Sequence, residues 1–205
     1  MMKSLIKKQL AATVDVFEKV LSDEALAEQL SEAAALTARS IQQGGKLLVA
    51  GNGGSAADAQ HLVAEFVSRL TVDRPAMRAV ALTTDTSILT AIGNDYGYER
   101  VFERQIEALG LPNDVFLAIS TSGNSANLIH ALKKAREMKL TTVGFTGNSG
   151  GRMAELCDWN IIVPSTVTMK IQECHLSLEH IFCMIVERCY FGLDFDEKFG
   201  SRTVS

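Results

Sequence analysis

The chain has 205 residues, of which 47% are hydrophobic and 21% are charged, as in an ordinary globular protein. Its 20 Lys and Arg residues against 24 Asp and Glu residues give a formal charge of -4, which argues against a nucleic-acid-binding surface. Charges interrupt the N-terminal 20 residues too often for a signal peptide or a membrane span. Four cysteines without CxxC spacing favour reduced, buried thiols. We therefore expect a cytoplasmic protein without a nucleic-acid or membrane partner.

The order of the predicted elements is two helices followed by alternating strands and helices. Apolar residues recur at helical spacing from Leu5 to Leu21, and Ser22 with Asp23 begins a second helix that ends at Gly44-Gly45. Strands are predicted at 46–50, 78–83, 115–119, 141–145 and 160–163. Helices are predicted at 56–70, 86–92, 100–109, 126–138, 153–157 and 168–190. We expect a single domain, 1–205, with an N-terminal helical segment (about 1–44), an α/β core (about 45–190) and a polar tail (about 191–205).

The strands are short, uniformly apolar and separated by helices, which predicts a five-stranded parallel sheet covered on both faces. The fold class is therefore α/β, a three-layer sandwich with additional N-terminal helices. In such a sheet, ligands bind at the carboxyl ends of the strands near a topological switch point.

Two turns rich in glycine and serine follow predicted strands and open predicted helices. The first is Gly51-Asn52-Gly53-Gly54-Ser55, and the second runs from Ser120 to Ser125. The first N–H groups of a helix and its positive dipole end favour phosphate. The second turn has four hydroxyl groups around one glycine, more than a helix cap requires. Together the turns predict a phosphate-binding site, although a capped turn with spare serines also fits the second.

Two pairs of polar side chains lie on predicted helices. His61 and Glu65 are four residues apart and share one helix face, and Gln172 and His180 lie on the apolar last helix. Two imidazoles, a carboxylate and an amide oxygen suit a divalent ion such as Zn²⁺. Structural alternatives fit the same spacings. His61 and Glu65 also fit a surface pair, and Gln172 and His180 also fit buried side chains with hydrogen-bond partners. For His175 and His130, structural roles are favoured over metal binding.

Four segments together resemble one family: GNGGSAADAQHLVAEF, LTTDTSILTAIGNDYGY, AISTSGNSANLI and KIQECHLSLEH. They are similar to the sedoheptulose-7-phosphate isomerases, or phosphoheptose isomerases, of the SIS (sugar isomerase) domain superfamily. The resemblance extends over nearly the whole chain, to about Tyr190. It implies a flavodoxin-like SIS domain that converts sedoheptulose 7-phosphate to D-glycero-D-manno-heptose 7-phosphate for lipopolysaccharide or other surface glycans. It also implies a cytoplasmic homotetramer with active sites shared between subunits.

The resemblance also implies roles for individual residues. One zinc ion per subunit is implied at His61, Glu65, Gln172 and His180. The implied substrate-binding residues are Asn52, Gly53, Gly54, Ser55, Glu65, Asn94, Asp95, Ser120, Thr121, Ser122, Ser125 and Gln172. Glu65 and His180 are the implied catalytic base and acid, which would move a proton between neighbouring carbons through an enediol. Because a tight zinc ligand is not a free base, either Glu65 shifts during the cycle or another group, such as Asp95, moves one proton.

Two positions depart from the family pattern. Lys170 stands where arginine is usual, and Met169 is not polar. A related branch of the superfamily contains non-catalytic adaptors of the replication initiator protein, and a sugar-phosphate sensor is a third possibility. This chain keeps Glu65 and His180, which adaptors replace, so the sequence favours the enzyme.

Overall fold

The computed structural model describes residues 1–195 of the chain, so the predicted tail lies outside the described residues from position 196 onwards. This part of the chain folds into five strands, seven α-helices and two short 3-10 helices. The strands are β1 (Leu47–Gly51), β2 (Ala79–Ala81), β3 (Val115–Ser120), β4 (Thr141–Gly147) and β5 (Trp159–Val163). The helices are α1 (Met2–Leu21), α2 (Glu24–Gln42), α3 (Gly54–Val67), α4 (Thr86–Asp95), α5 (Glu103–Leu109), α6 (Ala126–Glu137) and α7 (Thr168–Phe191). The 3-10 helices are Tyr98–Arg100 and Gly151–Glu155.

The predicted order of elements is confirmed, with three local differences. The predicted helix at 100–109 divides into a 3-10 turn and α5, and the predicted helix at 153–157 is a 3-10 turn. The predicted helix at 86–92 is longer in the structure, where Asn94 and Asp95 lie in the last turn of α4. Gly93 is accommodated within the helix, and the chain turns away only near Gly97, which has a φ of 91°.

The sheet is parallel throughout, with the strand order β2-β1-β3-β4-β5. The chain passes from β1 to β2 on one side and then returns to place β3 on the other side of β1. The order therefore reverses between β1 and β3, which creates a crevice at their carboxyl ends. Both turns that were predicted to bind phosphate begin there, after Gly51 and Ser120.

Alternate residues of the central strands point to opposite faces of the sheet, as the pleat requires. Leu47, Val49 and Leu117 belong to the core that α2, α3 and α7 cover. Leu48 and Phe116 belong to the core formed with α5 and α6 on the other face. Two helical layers therefore enclose the sheet, which confirms the predicted three-layer sandwich.

The first two helices differ from the sequence interpretation in two respects. Asp23, and not Ser22, caps α2, since its carboxylate accepts a hydrogen bond from the backbone N–H of Leu26 at 3.0 Å. The apolar stripe of α1 is mostly uncovered, and Val16 is the residue of this helix that is buried. Six large apolar residues of α1 are more than half exposed: Met2, Leu5, Ile6, Leu10, Val14 and Leu21.

None of the helices formed by residues 1–195 combines the length and the apolar character that a bilayer crossing requires.

Candidate active site

A cavity of about 190 Å³ lies at the carboxyl ends of β1 and β3. Its walls come from both predicted phosphate-binding turns and from the start of α7. The residues that line it are Asn52, Ser55, Ile119, Ser120, Thr121, Ser122, Ser125, Thr168 and Gln172. The tertiary structure therefore brings together most of the predicted substrate-binding residues, which are up to 120 positions apart in the chain.

The first turn presents the start of α3 to this cavity. Gly53 occupies the N-cap position with a φ of 58°, and in the described part of the chain no side chain caps the helix there. A Cβ atom on Gly54 would overlap the amide nitrogen of Gln172. Glycine at this position therefore lets α3 and α7 approach closely, with the first N–H groups of α3 left for a ligand.

The second turn forms a compact network of hydroxyl groups. The Ser120 hydroxyl lies 3.1 Å from that of Ser125 and 3.5 Å from that of Ser122. Ser125 is the N-cap residue of α6, but among the described residues its side chain makes no capping hydrogen bond. Gly123 has a φ of 63°, and a Cβ there would overlap the carbonyl oxygen of Gly150. These hydroxyls and the positive end of α6 suit a phosphate group.

Three side chains that could hold a metal ion meet farther along α3 and α7. His61 Nε2 lies 2.8 Å from His180 Nε2 and 3.6 Å from Glu65 Oε1. One ligand atom from each residue lies within 4.8 Å of the other two. The imidazole rings meet edge to face at 85°. Two imidazole nitrogens and a carboxylate form a donor set that suits a borderline divalent ion.

Gln172 lies near the start of α7, beside the first glycine-rich turn. Its amide contacts the start of α3 at Gly54, and it lines the cavity with Ser55. Eight residues of one helix separate Gln172 from His180, an axial distance of about 12 Å. A role of Gln172 as a fourth metal ligand stays a prediction, whereas its place beside the two turns agrees with substrate binding.

The structure does not bring Asn94 and Asp95 into the cavity. Asp95 lines a separate cavity between α4 and α5, together with Ile92 and Tyr96. The Asn94 amide donates a hydrogen bond to Asp95 Oδ1 at 2.7 Å. Within one chain, the alternative in which Asp95 moves a substrate proton has no geometric support.

Two further carboxyl groups lie close to the three-residue group. Burial, and to a smaller extent the carboxylate of Asp58, raises the pKa of Glu179 to about 8. Burial also raises the pKa of Asp58, an effect that His61 opposes. Glu179 is 1% exposed, and neither of its carboxyl oxygens has a hydrogen-bond partner among the described residues. Both groups therefore favour the neutral form more strongly than a carboxyl in water does.

The remaining histidines have structural surroundings. His175 is fully buried, and its Nε2 lies 2.9 Å from the Thr146 carbonyl oxygen. Burial lowers the pKa of His175 to about 4. His130 lies near a carboxylate, since its Nδ1 is 3.6 Å from Glu103 Oε2.

Lys170 makes its contacts outside the site. Lys170 is 5% exposed, and its Nζ donates hydrogen bonds to the Thr13 hydroxyl at 2.6 Å and to the Glu173 carboxylate at 3.0 and 3.1 Å. It therefore joins α1 to α7. Met169, its neighbour, is 54% exposed.

The predicted unpaired thiols are confirmed, since all four cysteines are free and three of them are buried.

Sequence reasoning missed three residues at the site. Thr168 begins α7 and lines the cavity; the run Ser165-Thr166-Val167-Thr168 between a strand and a helix was the available signal. Asn127 and Tyr98 both hydrogen-bond the Asn52 side chain. Asn127 lies two positions after the second turn, but nothing in the local sequence indicates its partner.

Comparison with known proteins gives consistent results. The family model described as "SIS domain" matches residues 10–147. The phosphoheptose isomerase of Aneurinibacillus thermoaerophilus is 52% identical over 190 residues, which cover 93% of this chain and 96% of that protein. That of Burkholderia pseudomallei is 56% identical over 187 residues, covering 91% and 95%. The solved structure of the Neisseria gonorrhoeae phosphoheptose isomerase superposes with a TM-score of 0.86 at 41% identity, covering 91% of this chain and 99% of that one. The cavity and the family match agree, and the chain belongs to the phosphoheptose isomerases of the SIS domain family.

Proposed function

We infer that this chain is a sugar-phosphate isomerase that converts sedoheptulose 7-phosphate to D-glycero-D-manno-heptose 7-phosphate in heptose biosynthesis. One observation supports this function above the others. The same two helices, α3 and α7, line the cavity with their N-terminal ends and carry His61, Glu65 and His180 farther along. An anchored phosphate at one end and proton-transfer groups at the other fit a chain-like sugar phosphate.

The spacing along α3 supports this placement of the substrate. Ser55 lines the cavity, and His61 lies six residues later, which corresponds to about 9 Å along the helix axis. The phosphate of a heptose phosphate is at C7, whereas its reacting carbons are C1 and C2. An extended substrate held by its phosphate in the cavity would therefore direct C1 and C2 toward His61 and Glu65.

The proposed phosphate contacts are hydrogen bonds and helix dipoles rather than a fixed positive charge. The hydroxyls of Ser55, Ser120 and Ser125 line the cavity, and α3 and α6 direct their N-terminal ends toward it. Such ends bind anions because unpaired N–H groups and the helix dipole act together.

The proposed chemistry moves a proton between C1 and C2. Glu65 would remove the proton next to the carbonyl and return it to the neighbouring carbon, because a carboxylate can take and release protons in place. His180 would give a proton to the C2 carbonyl oxygen and take one from the C1 hydroxyl oxygen. No net charge would then remain on the sugar oxygens. The close contact of His61 with both groups would hold them in the orientation that these transfers need.

A zinc ion is proposed at the same three residues, with Gln172 as a predicted fourth ligand. The two imidazoles and the carboxylate suit zinc by number and by chemistry. When bound, the ion would supply Lewis-acid polarisation of the sugar oxygens and would stabilise developing negative charge. Glu65 would then bind the metal through one carboxylate oxygen or act as the base, and the identity of its contacts in a substrate complex separates the two alternatives.

A homotetramer is proposed from the uncovered apolar surface. The apolar stripe of α1 and part of α7, including Leu176 and Ile181, is exposed in the single chain, and such patches mark protein interfaces. Asn94 and Asp95 lie away from the cavity of their own chain, which agrees with a role at the site of a neighbouring subunit. The cytoplasmic location also stays a proposal.

Turnover of sedoheptulose 7-phosphate by the purified protein tests the function. We expect product formation, and a loss of about a hundred- to ten-thousand-fold in kcat for Glu65→Gln and for His180→Gln, the range that general acid–base groups contribute. His130→Gln, which changes a histidine outside the site, is the matched control and should keep full activity. Tight binding of the substrate without turnover would instead indicate a sensor, and neither binding nor turnover would favour an adaptor.

A further inference from the structure

Asn127 has no role in the function described so far, yet it lies directly behind the cavity. It is the second residue of α6 and is 3% exposed. Its side chain faces that of Asn52, which lines the cavity after β1. The two amides exchange hydrogen bonds: Asn52 Nδ2 donates to Asn127 Oδ1 at 2.9 Å, and Asn127 Nδ2 donates to Asn52 Oδ1 at 2.8 Å. This pair links the two phosphate-binding turns.

The orientation of the Asn127 amide is determined by the backbone. Its Oδ1 also accepts a hydrogen bond from the backbone N–H of Leu128 at 3.0 Å. A backbone N–H can only donate, so the atom facing it must be the oxygen and not the NH₂ group. The NH₂ group of Asn127 therefore faces Asn52, which in turn must direct its own oxygen toward that NH₂ group.

The side-chain oxygen of Asn52 accepts a second hydrogen bond. The Tyr98 hydroxyl, from the 3-10 turn after α4, donates to Asn52 Oδ1 at 3.2 Å. An amide oxygen has two lone pairs and an amide nitrogen has two hydrogens. Both lone pairs of Asn52 are therefore occupied, and one Nδ2 hydrogen has no partner among the described residues. Toward a ligand in the cavity, Asn52 can act only as a hydrogen-bond donor.

We propose that Asn127 is a positioning residue that, together with Tyr98, holds the Asn52 amide with its free N–H directed at an oxygen of the bound sugar phosphate. The proposal rests on the proposed function for the identity of that ligand. Fixing the amide before binding removes both the wrong, flipped orientation and the entropy cost of ordering the side chain. Asn127 would therefore act on substrate affinity through Asn52 and not on the proton transfers.

A double-mutant cycle tests this coupling. KM and kcat for sedoheptulose 7-phosphate, the dissociation constant from calorimetry and the melting temperature are measured for Asn127→Ala, Asn52→Ala and the double variant. We expect Asn127→Ala to raise KM and the dissociation constant by about 3- to 10-fold, the equivalent of one hydrogen bond. We expect kcat to change by less than about twofold, because the proton-transfer groups are untouched. In the Asn52→Ala background, Asn127→Ala should have no further effect on affinity.

Two other variants serve as controls. Asn160→Ala removes another partly buried amide, one that donates to the Ala154 and Cys157 carbonyls away from the cavity, and should lower the melting temperature with no change in KM. Tyr98→Phe removes a hydroxyl from a residue that is 59% exposed. It should fold even if Asn127→Ala does not, and should raise KM only when Asn52 is present.

The outcomes separate this proposal from the proposed function. Additive effects of the Asn127 and Asn52 substitutions, or a loss confined to kcat, would overturn the positioning role while leaving the isomerase intact. If the wild-type protein binds sedoheptulose 7-phosphate without turning it over, the isomerase proposal fails. The coupling of dissociation constants would then still support or overturn the positioning role.

Discussion

The imidazole Nε2 of His61 lies 2.8 Å from the imidazole Nε2 of His180, although 119 positions separate the two residues in the chain. α3 and α7 pack side by side and direct both rings to one point, with Glu65 Oε1 3.6 Å from His61 Nε2. Two imidazole nitrogens that meet this closely either share a proton or bind one cation.

Metal content tests this arrangement directly. We expect protein prepared with zinc to hold one ion per chain by mass spectrometry of the elements, and His61→Ala and His180→Ala to lose it, because each removes one of three ligand groups. His130→Ala should keep the ion. Chelation should lower the melting temperature of the wild type and not that of His180→Ala. Unchanged metal content in His180→Ala would contradict the proposed metal site. The metal content of the Gln172→Ala variant decides whether Gln172 is a ligand.

The buried ion pair between Arg74 and Glu187 should support both the fold and the position of Glu65. Both side chains are fully buried, and Arg74 Nε lies 2.9 Å from Glu187 Oε1. Arg74 also donates hydrogen bonds to the carbonyl oxygens of Glu65 and Phe66, at 2.6 and 2.7 Å, near the end of α3. Removal of one partner leaves a buried charge, so we expect Arg74→Met to lower the free energy of unfolding by about 3–5 kcal/mol.

Chemical denaturation measures this loss, and the double variant Arg74→Met with Glu187→Leu is the control. It removes both charges and should lose less stability than the single variant. An equal or larger loss in the double variant would show that the ion pair is not the source of the effect.

The buried His175 predicts a pH dependence of stability. Burial lowers the pKa of His175 from 6.5 to about 4, so the unfolded chain takes up this proton first as the pH falls. The corresponding stability is fully present above pH 6.5 and is lost as the pH falls through about 4, an amount of about 3 kcal/mol. The difference in unfolding free energy between wild type and His175→Gln should therefore shrink between pH 6.5 and 4. A constant difference for His175→Gln over this pH range would refute the prediction.

Gly123 and Gly44 form a matched pair for testing the second turn. Both have positive φ, 63° and 90°, but an added Cβ would meet the Gly150 carbonyl at Gly123 and nothing within 4 Å at Gly44. Alanine at either position pays the cost of a left-handed backbone, about 1 kcal/mol. We expect only Gly123→Ala to displace the hydroxyl network as well, raising KM by more than tenfold in steady-state assays. A normal KM in Gly123→Ala would show that the turn tolerates the shift.

Because the apolar stripe of α1 is exposed, we predict that the proposed tetramer depends on apolar contacts made by this helix. Leu10 is 62% exposed in the single chain, so a charge there should cost the fold little but should prevent burial at an interface. We expect Leu10→Glu to convert a tetramer to smaller species in light scattering after size exclusion. Lys8→Glu, on the same helix, should leave the tetramer intact. A wild type that is monomeric at all concentrations would reject the assembly.

Periodicity and composition determined most of the fold before the structure. Short apolar runs such as 115–119, alternating with amphipathic helices, require a parallel sheet buried on both faces, because only that arrangement covers every strand. The turns after β1 and β3 were also identified locally, since glycine and serine before a helix are a property of a few adjacent residues. Boundaries moved where local signals compete, as at Gly93, which α4 includes although glycine is a poor helix former.

The candidate site could be predicted in part, because some of its residues share one helix. The pair His61 and Glu65 follows from a spacing of four. The sequence also indicated that α7 carries His180 and Gln172, but not that the first would meet His61 while the second would line the cavity. That division depends on how α3 and α7 pack, and helix packing is set by side chains far apart in the chain.

Sequence by itself determined the family, the layered α/β architecture and the residue types available for the chemistry, because these follow from local patterns. Only the tertiary structure decided which of those residues meet. It placed Asp95 outside the cavity, committed Lys170 to the contact between α1 and α7, and paired Asn127 with Asn52. The reason is physical: hydrogen bonds and close contacts between distant segments depend on angstrom-scale packing, which no periodicity along the chain encodes.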